Sequence, residues 1–314
     1  MLRLPVMLAL VGFACATSDR RPADPPAEAS TPAAEAVADS LADAADALDE
    51  GAPPDSTTMR AFSALMERAA AERWHMRPYG ELVQAVGEAF LGTPYRDGLL
   101  DQGDTETLVA SLAAFDCVLF VENTLALAQG IAAEDYSFDG YLRRLEALRY
   151  RGGQMDGYCS RLHYFTDWIF DNDRRALVRD ITREAGGEPF DKRLDFMSTH
   201  RSAYRRLVDD ATFQCIVEME GAVQERPLFY IPEARIADAY PELEAGDVIA
   251  TATSIGGLDV THTGFVYRYP DGRTGFLHAS ATGEVKISPD LQGYVEEHRN
   301  QVGVIVARPV DPRG

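Results

Sequence analysis

The chain predicts an α+β domain, helices leading and antiparallel strands following, not an alternating βαβ fold. Three observations carry that prediction. Apolar residues recur at helical spacing between residues 59 and 90. A largely apolar run at 118–128 has the length of a buried helix and is too short for a membrane span. From residue 245 the texture changes to strand-like alternation around the turn Pro270-Asp271-Gly272-Arg273. No internal repeat is present.

Ahead of the domain, Met1-Leu2-Arg3 is a short basic start and residues 4–13 are an apolar stretch of signal-peptide length, so residues 1–16 read as a signal peptide. Two processing routes compete. Ala14-Cys15-Ala16 fits a small-x-small cleavage site that would release a soluble protein, whereas Gly12-Phe13-Ala14-Cys15 resembles a degenerate lipobox that would lipidate Cys15 and attach the chain to a membrane. The disordered tether that follows favours the anchored form. Either route exports the chain to the periplasm or cell envelope. Residues 17–55 are rich in Ala, Pro and acids and lack the large apolar residues needed to offset chain entropy, so they read as a disordered linker. The folded domain is expected at 56–314.

Within it, Met59, Phe62, Leu65, Met66 and Ala69 mark a first helix behind the capping residues Ser56-Thr57-Thr58. Leu82, Val86 and Phe90 mark a second, stopped by Gly92. Residues 92–98 form a turn-rich loop, and 105–113 lead into the 118–128 run, which closes at Gln129-Gly130. Residues 138–150 and 163–170 read as further helices, 151–161 as a Gly-rich surface loop and 195–208 as a broken helix. Residues 247–250, 261–269, 274–280, 285–287 and 302–306 carry the strand signals.

The 314 residues are 46% hydrophobic, enough for a substantial core, and the net charge of −20 argues against nucleic acid, whose phosphates need clustered Lys or Arg. With Cys15 removed or lipidated, three cysteines remain, an odd number for an exported protein. A Cys159–Cys215 disulfide would leave Cys117 as the single free thiol, although all three could equally stay reduced.

Asp116-Cys117 stands at the entrance to the apolar helix. In a first helical turn, unpaired backbone N–H groups and the positive dipole end favour a thiolate, which makes Cys117 a candidate nucleophile. In the strand that follows, Thr261, Thr263, Phe265 and Tyr267 share one face and His262, Gly264 and Val266 the other. Antiparallel pairing around the 270–273 turn would bring His278 near His262, where it could fix the tautomer of a general base.

An Asp-Cys pair on a helix, followed by strands of the form His-x-Gly-Phe…Leu-His-Ala-Ser, resembles the NlpC-type papain-fold cell-wall hydrolases, and within them the N-acetylmuramoyl-L-alanine amidase-like branch. The matching pieces are Leu91-Gly92-Thr93-Pro94-Tyr95, Asp116-Cys117-Val118, Ser160-Arg161-Leu162-His163-Tyr164, Thr253-Ser254-Ile255-Gly256-Gly257-Leu258-Asp259 and His262…His278, in one order over residues 62–309. The resemblance implies a papain-like cysteine hydrolase fold with Cys117 as nucleophile, His262 as base and His278 as its orienting partner. It implies Tyr95 near the oxyanion, Asp116 beside the nucleophile, Ser160, Arg161 and Asp259 along the cleft, and peptidoglycan fragments (muropeptides) as substrate. Val118 stands where many NlpC-type endopeptidases have Ser, which disfavours a γ-D-glutamyl endopeptidase and suits the amidase branch.

Blander readings stand beside these. Asp116 is equally readable as a helix cap, Asp259 as a turn residue after Gly256-Gly257, and Arg161 as one half of an ion pair. His75, His163, His200 and His298 read as packing or surface residues, His163 being close enough to Ser160 to reach the cleft. No H-E-x-x-H or paired C-x-x-C is present, so neither a metal nor another cofactor is expected. Two alternatives stay open: an endopeptidase cutting inside the stem peptide, and a catalytically silent envelope lipoprotein that uses the fold to bind.

Overall fold

The computed structural model describes residues 56–314. The expected signal peptide, the lipobox at Cys15 and the linker all lie outside the described residues.

Helices precede the sheet, as the apolar spacing predicts. They are α1 (Ser56–Ala71), α2 (Tyr79–Glu88), α3 (Cys117–Ala132), α4 (Phe138–Arg149) and α5 (Phe165–Arg174). Four more follow among the described residues: α6 (Phe196–Thr199), α7 (Asp210–Gln224), α8 (Ile236–Ala239) and α9 (Leu291–Glu296). The strands are β1 (Val178–Asp180), β2 (Glu188–Pro189), β3 (Phe229–Pro232), β4 (Val248–Thr253), β5 (Val260–Arg268), β6 (Thr274–Ala279), β7 (Val285–Ser288) and β8 (Gln301–Pro309). All pair antiparallel, in the order β2-β3-β8-β4-β5-β6-β7, with β1 also on β8.

Every residue of α3 is buried. That burial suits its apolar side chains and forces an answer for the polar ones. Glu122 accepts a 2.7 Å bond from Arg149 Nε on α4, and Asn123 donates to Leu119 O at 2.6 Å while accepting from Tyr141. A lone buried carboxylate would be costly, so the α3–α4 pairing is specified as much by this match as by apolar contact. Phe120, Leu125 and Ile131 pack with Phe265, Leu277 and Ile305 in the core between the helices and one sheet face. The other face, with Ile249, Val266, Phe276, Val304 and Val306, is covered by α8 and α9 through Ile236, Leu291 and Val295. A third cluster, Tyr158, Tyr164, Met197, Tyr204, Ile216 and Met219, builds a helical lobe around α7.

The 270–273 turn forms as expected. Gly272 has φ 88°, and its N–H reaches Tyr269 O at 2.9 Å, so β5 and β6 pair with Phe265 opposite Leu277. Two expectations need correction. Residues 151–161 are not wholly a surface loop, because Tyr158 and Arg161 are buried in it. The helix predicted at 163–170 lies at Phe165–Arg174 instead, its first turn being capped from outside. The Asp259 carboxylate accepts both the Thr166 N–H and the Thr166 hydroxyl at 2.8 Å. No sequence pattern announced α7, whose buried stripe is only Ile216, Met219, Glu220 and Val223.

Candidate active site

Cys117 is the first residue of α3, and Asp116 is its N-cap. The Asp116 backbone is extended, and its carboxylate accepts the Leu119 N–H at 2.7 Å. Burial pushes that carboxyl up to about 7, against the lowering effect of the Leu119 N–H. The Thr263 hydroxyl of β5 donates to the Cys117 carbonyl at 2.9 Å, latching the start of the helix to the strand residue next to His262.

The histidines are diagonal neighbours across β5 and β6. Continuing the register puts Gly264 opposite His278, and a Cβ on Gly264 would fall 2.8 Å from His278 Cβ. The missing side chain lets the rings meet, with His262 Nε2 2.7 Å from His278 Nδ1. His278 Nε2 lies 3.1 Å from Ser288 Oγ on β7. Phe276 stacks on His278 with centroids 4.7 Å apart, and Tyr294 of α9 packs 4.8 Å from His278 and 5.8 Å from His262. Both rings are held neutral at ordinary pH. Burial, then the nearby His298 and Lys286, pushes His262 down to about 3, and burial drives His278 well below the usual range.

Asp116, Cys117, Val118, Thr263 and His262 line one cleft, closed on the far side by the third cluster's Tyr158, Tyr164, Met197 and Tyr204 with Leu258. Arg161 and His163 also line it. Arg161 is buried, bonds Leu100 O at 3.1 Å and Asp101 at 2.5 Å, and lies over the Tyr158 ring. His163 bonds Tyr158 O at 2.8 Å, and burial together with Arg161 holds its ring at about 3.

Three residues expected at the site are placed elsewhere. Ser160 is absent from the cleft lining; its hydroxyl closes the local turn, accepting from Asp156 N–H and donating to Gly157 O. Asp259 is fully buried, holding Thr166 and its own neighbour Val260. Tyr95 is outside the lining set and bridges Phe115, just before the helix, through its backbone. Burial, then the Asp116 charge, raises its phenol. The aromatic far wall and Ser288 went unread in the sequence: the wall tyrosines are scattered over 158–204, and a serine ending a strand has no distinctive pattern.

The cysteine expectation divides. Cys159 and Cys215 are bonded to each other, tying the turn that carries Tyr158 to α7. Cys117 is not the leftover thiol that pairing predicted; it is also disulfide-bonded, and no described cysteine is free. Among the described residues, no group of three or more His, Cys, Asp or Glu is placed to hold a metal ion, and no helix is long and apolar enough to cross a membrane.

Residues 85–304 match the family model AmiA-like, described as N-acetylmuramoyl-L-alanine amidase-like. Among solved structures, the chain is similar to an N-acetylmuramoyl-L-alanine amidase from Bacteroides uniformis, at 29% identity and a TM-score of 0.70 over 74% of this chain and 99% of that one. It is also similar to a candidate xylanase from Bacteroides fragilis, at 33% identity and TM-score 0.66 over 71% and 99% of the two chains. A Legionella pneumophila protein shares the fold at 20% identity and TM-score 0.59, over 80% of this chain and 95% of its own. No curated protein matches the chain.

Proposed function

This chain belongs to the AmiA-like, N-acetylmuramoyl-L-alanine amidase-like family, and we propose that it cleaves the amide between the lactyl group of N-acetylmuramic acid and L-Ala in peptidoglycan or its turnover fragments. The observation that carries this reading is the cleft shared by Cys117, at the first position of a buried helix, and His262, whose Nε2 is held by His278. We read the architecture as papain-like and of NlpC type, a nucleophile-bearing helix against an antiparallel sheet that carries the base. The catalytic unit is 56–314, behind an export signal at 1–16 and a linker at 17–55, with lipidated Cys15 as its anchor.

Chemistry follows from the residue types. The reactive species is a thiolate, so the Cys117 sulfur has to be reduced first. His262 takes the thiol proton, and the sulfur attacks the lactyl carbonyl carbon, forming a C–S bond. N–H groups at the start of α3 oppose the oxyanion. His262 returns the proton to the L-Ala nitrogen as the C–N bond breaks. Water, deprotonated by His262, then hydrolyses the thioester to a carboxylate and regenerates the thiol. Arg161 supplies positive charge beside the cleft for an anionic stem peptide. Val118, next to the nucleophile, favours this bond over a γ-D-glutamyl one.

Incubating the reduced protein with muropeptides and weighing the products tests the reading. A free peptide beginning with L-Ala, together with an intact sugar bearing its lactyl group, is expected, and Cys117→Ala is expected to abolish both. Release of an L-Ala–D-Glu dipeptide would assign an endopeptidase. Binding without turnover would assign an envelope receptor, and cleavage of xylan instead would overturn the amidase assignment.

A further inference from the structure

A neutral imidazole has one N–H donor and one acceptor nitrogen. The chain His262 Nε2···His278 Nδ1···(ring)···His278 Nε2···Ser288 Oγ therefore has two consistent settings. In one, the Ser288 hydroxyl donates to His278, His278 Nδ1–H donates to His262 Nε2, and His262 carries its proton on Nδ1, where it cannot act as a base. In the other, His262 Nε2–H donates to His278, His278 Nε2–H donates to Ser288 Oγ, and His262 Nδ1 is an acceptor. Only the second survives proton uptake. An imidazolium at His262 donates from both nitrogens, which forces His278 Nδ1 to accept and leaves the His278 proton on Nε2, donated to Ser288 Oγ.

We propose, building on the Cys117–His262 reading, that Ser288 is a positioning residue that sets the catalytic tautomer of both histidines by accepting a hydrogen bond from His278 Nε2–H. The fold places the serine for this task. It ends β7 opposite Phe276, and at the neighbouring Gly275 a Cβ would sit 2.8 Å from the Ser288 carbonyl, so the strand closes tightly there. The requirement is strict because the other groups facing the pair do not replace the acceptor. Phe276 offers only a ring face, the Lys286 ammonium opposes an imidazolium, and Tyr294 packs through its ring. The half-buried Ser288 hydroxyl is left as the end of the chain that stabilises the charged intermediate.

Three readouts decide the matter. Nitrogen-15 NMR of the His278 side chain needs no turnover: the parent protein and Ser288→Thr are expected to carry the proton on Nε2, and Ser288→Ala to shift population to Nδ1. In the amidase assay, Ser288→Ala is expected to lower kcat about tenfold, the scale of one hydrogen bond to a charged group, with KM unchanged, and Ser288→Thr to restore it. The pH profile of Cys117 alkylation by iodoacetamide should move with Ser288→Ala and not with Ser288→Thr. An Nδ1–H proton on His278 in the parent, or unchanged kcat and alkylation profile in Ser288→Ala, would overturn the proposal. If Cys117→Ala kept full activity, the nucleophile reading would fail, while the nitrogen shifts would still decide the tautomer.

Discussion

Gly264 is the smallest residue on which the histidine pair depends. A methyl group there would meet Leu277 O at 2.5 Å and His278 Cβ at 2.8 Å, both parts of a paired strand with little room to retreat. Gly264→Ala is therefore expected to cost about 1–3 kcal/mol in a denaturant titration. Because the displaced atom belongs to His278, kcat should fall further than the stability loss alone would explain. Asp116 supports a second prediction, with a definite sign. Its native carboxyl titrates near 7, above its ordinary 3.8, so the folded state holds the proton more tightly than the unfolded one. The associated stability is fully present below about 4 and is lost as pH rises through about 7. Thermal melts from pH 5 to pH 8 should show a fall in the parent and a smaller one in Asp116→Asn, which keeps a cap acceptor and cannot ionise. Equal slopes in the two proteins would contradict this assignment.

Helix α5 takes its start from a residue far along the chain. Asp259→Ala removes the acceptor for Thr166 N–H and is expected to cost about 1–2 kcal/mol, read as a lowered Tm with KM unchanged. A substrate contact would give the opposite pair of results. This element marks the boundary of what the sequence makes legible. The apolar run and Asp116 cap of α3 are local features, and the hairpin carrying His262 and His278 follows from alternation plus the Asp271-Gly272 turn, so both were readable before any coordinates. Asp259 and Thr166 are separated by 93 positions, and nothing near Asp259 distinguishes a buried cap from a turn or a ligand. The same holds for Ser288, whose partner arrives only when β6 and β7 pair, and for the cleft wall, which needs α7 and the turn at Tyr158 in place. Local periodicity reports local structure; roles created by long-range packing leave no period to find.

At the scale of the molecule, one disulfide braces the lobe that walls the cleft. The Cys159–Cys215 bond joins residues 56 positions apart, a loop whose closure stabilises by on the order of 4 kcal/mol in the chain-entropy picture. Reducing that bond is expected to lower Tm. A Cys159→Ser/Cys215→Ser protein should melt lower from the start and show no further fall on adding reductant. The sheet order adds a constraint on assembly. Strand β8, the last of the described strands, sits between β3 and β4, so most of the sheet is translated before its centre exists. A chain lacking residues 301–309 therefore presents unpaired edges on β3 and β4, a template for intermolecular pairing until β8 docks.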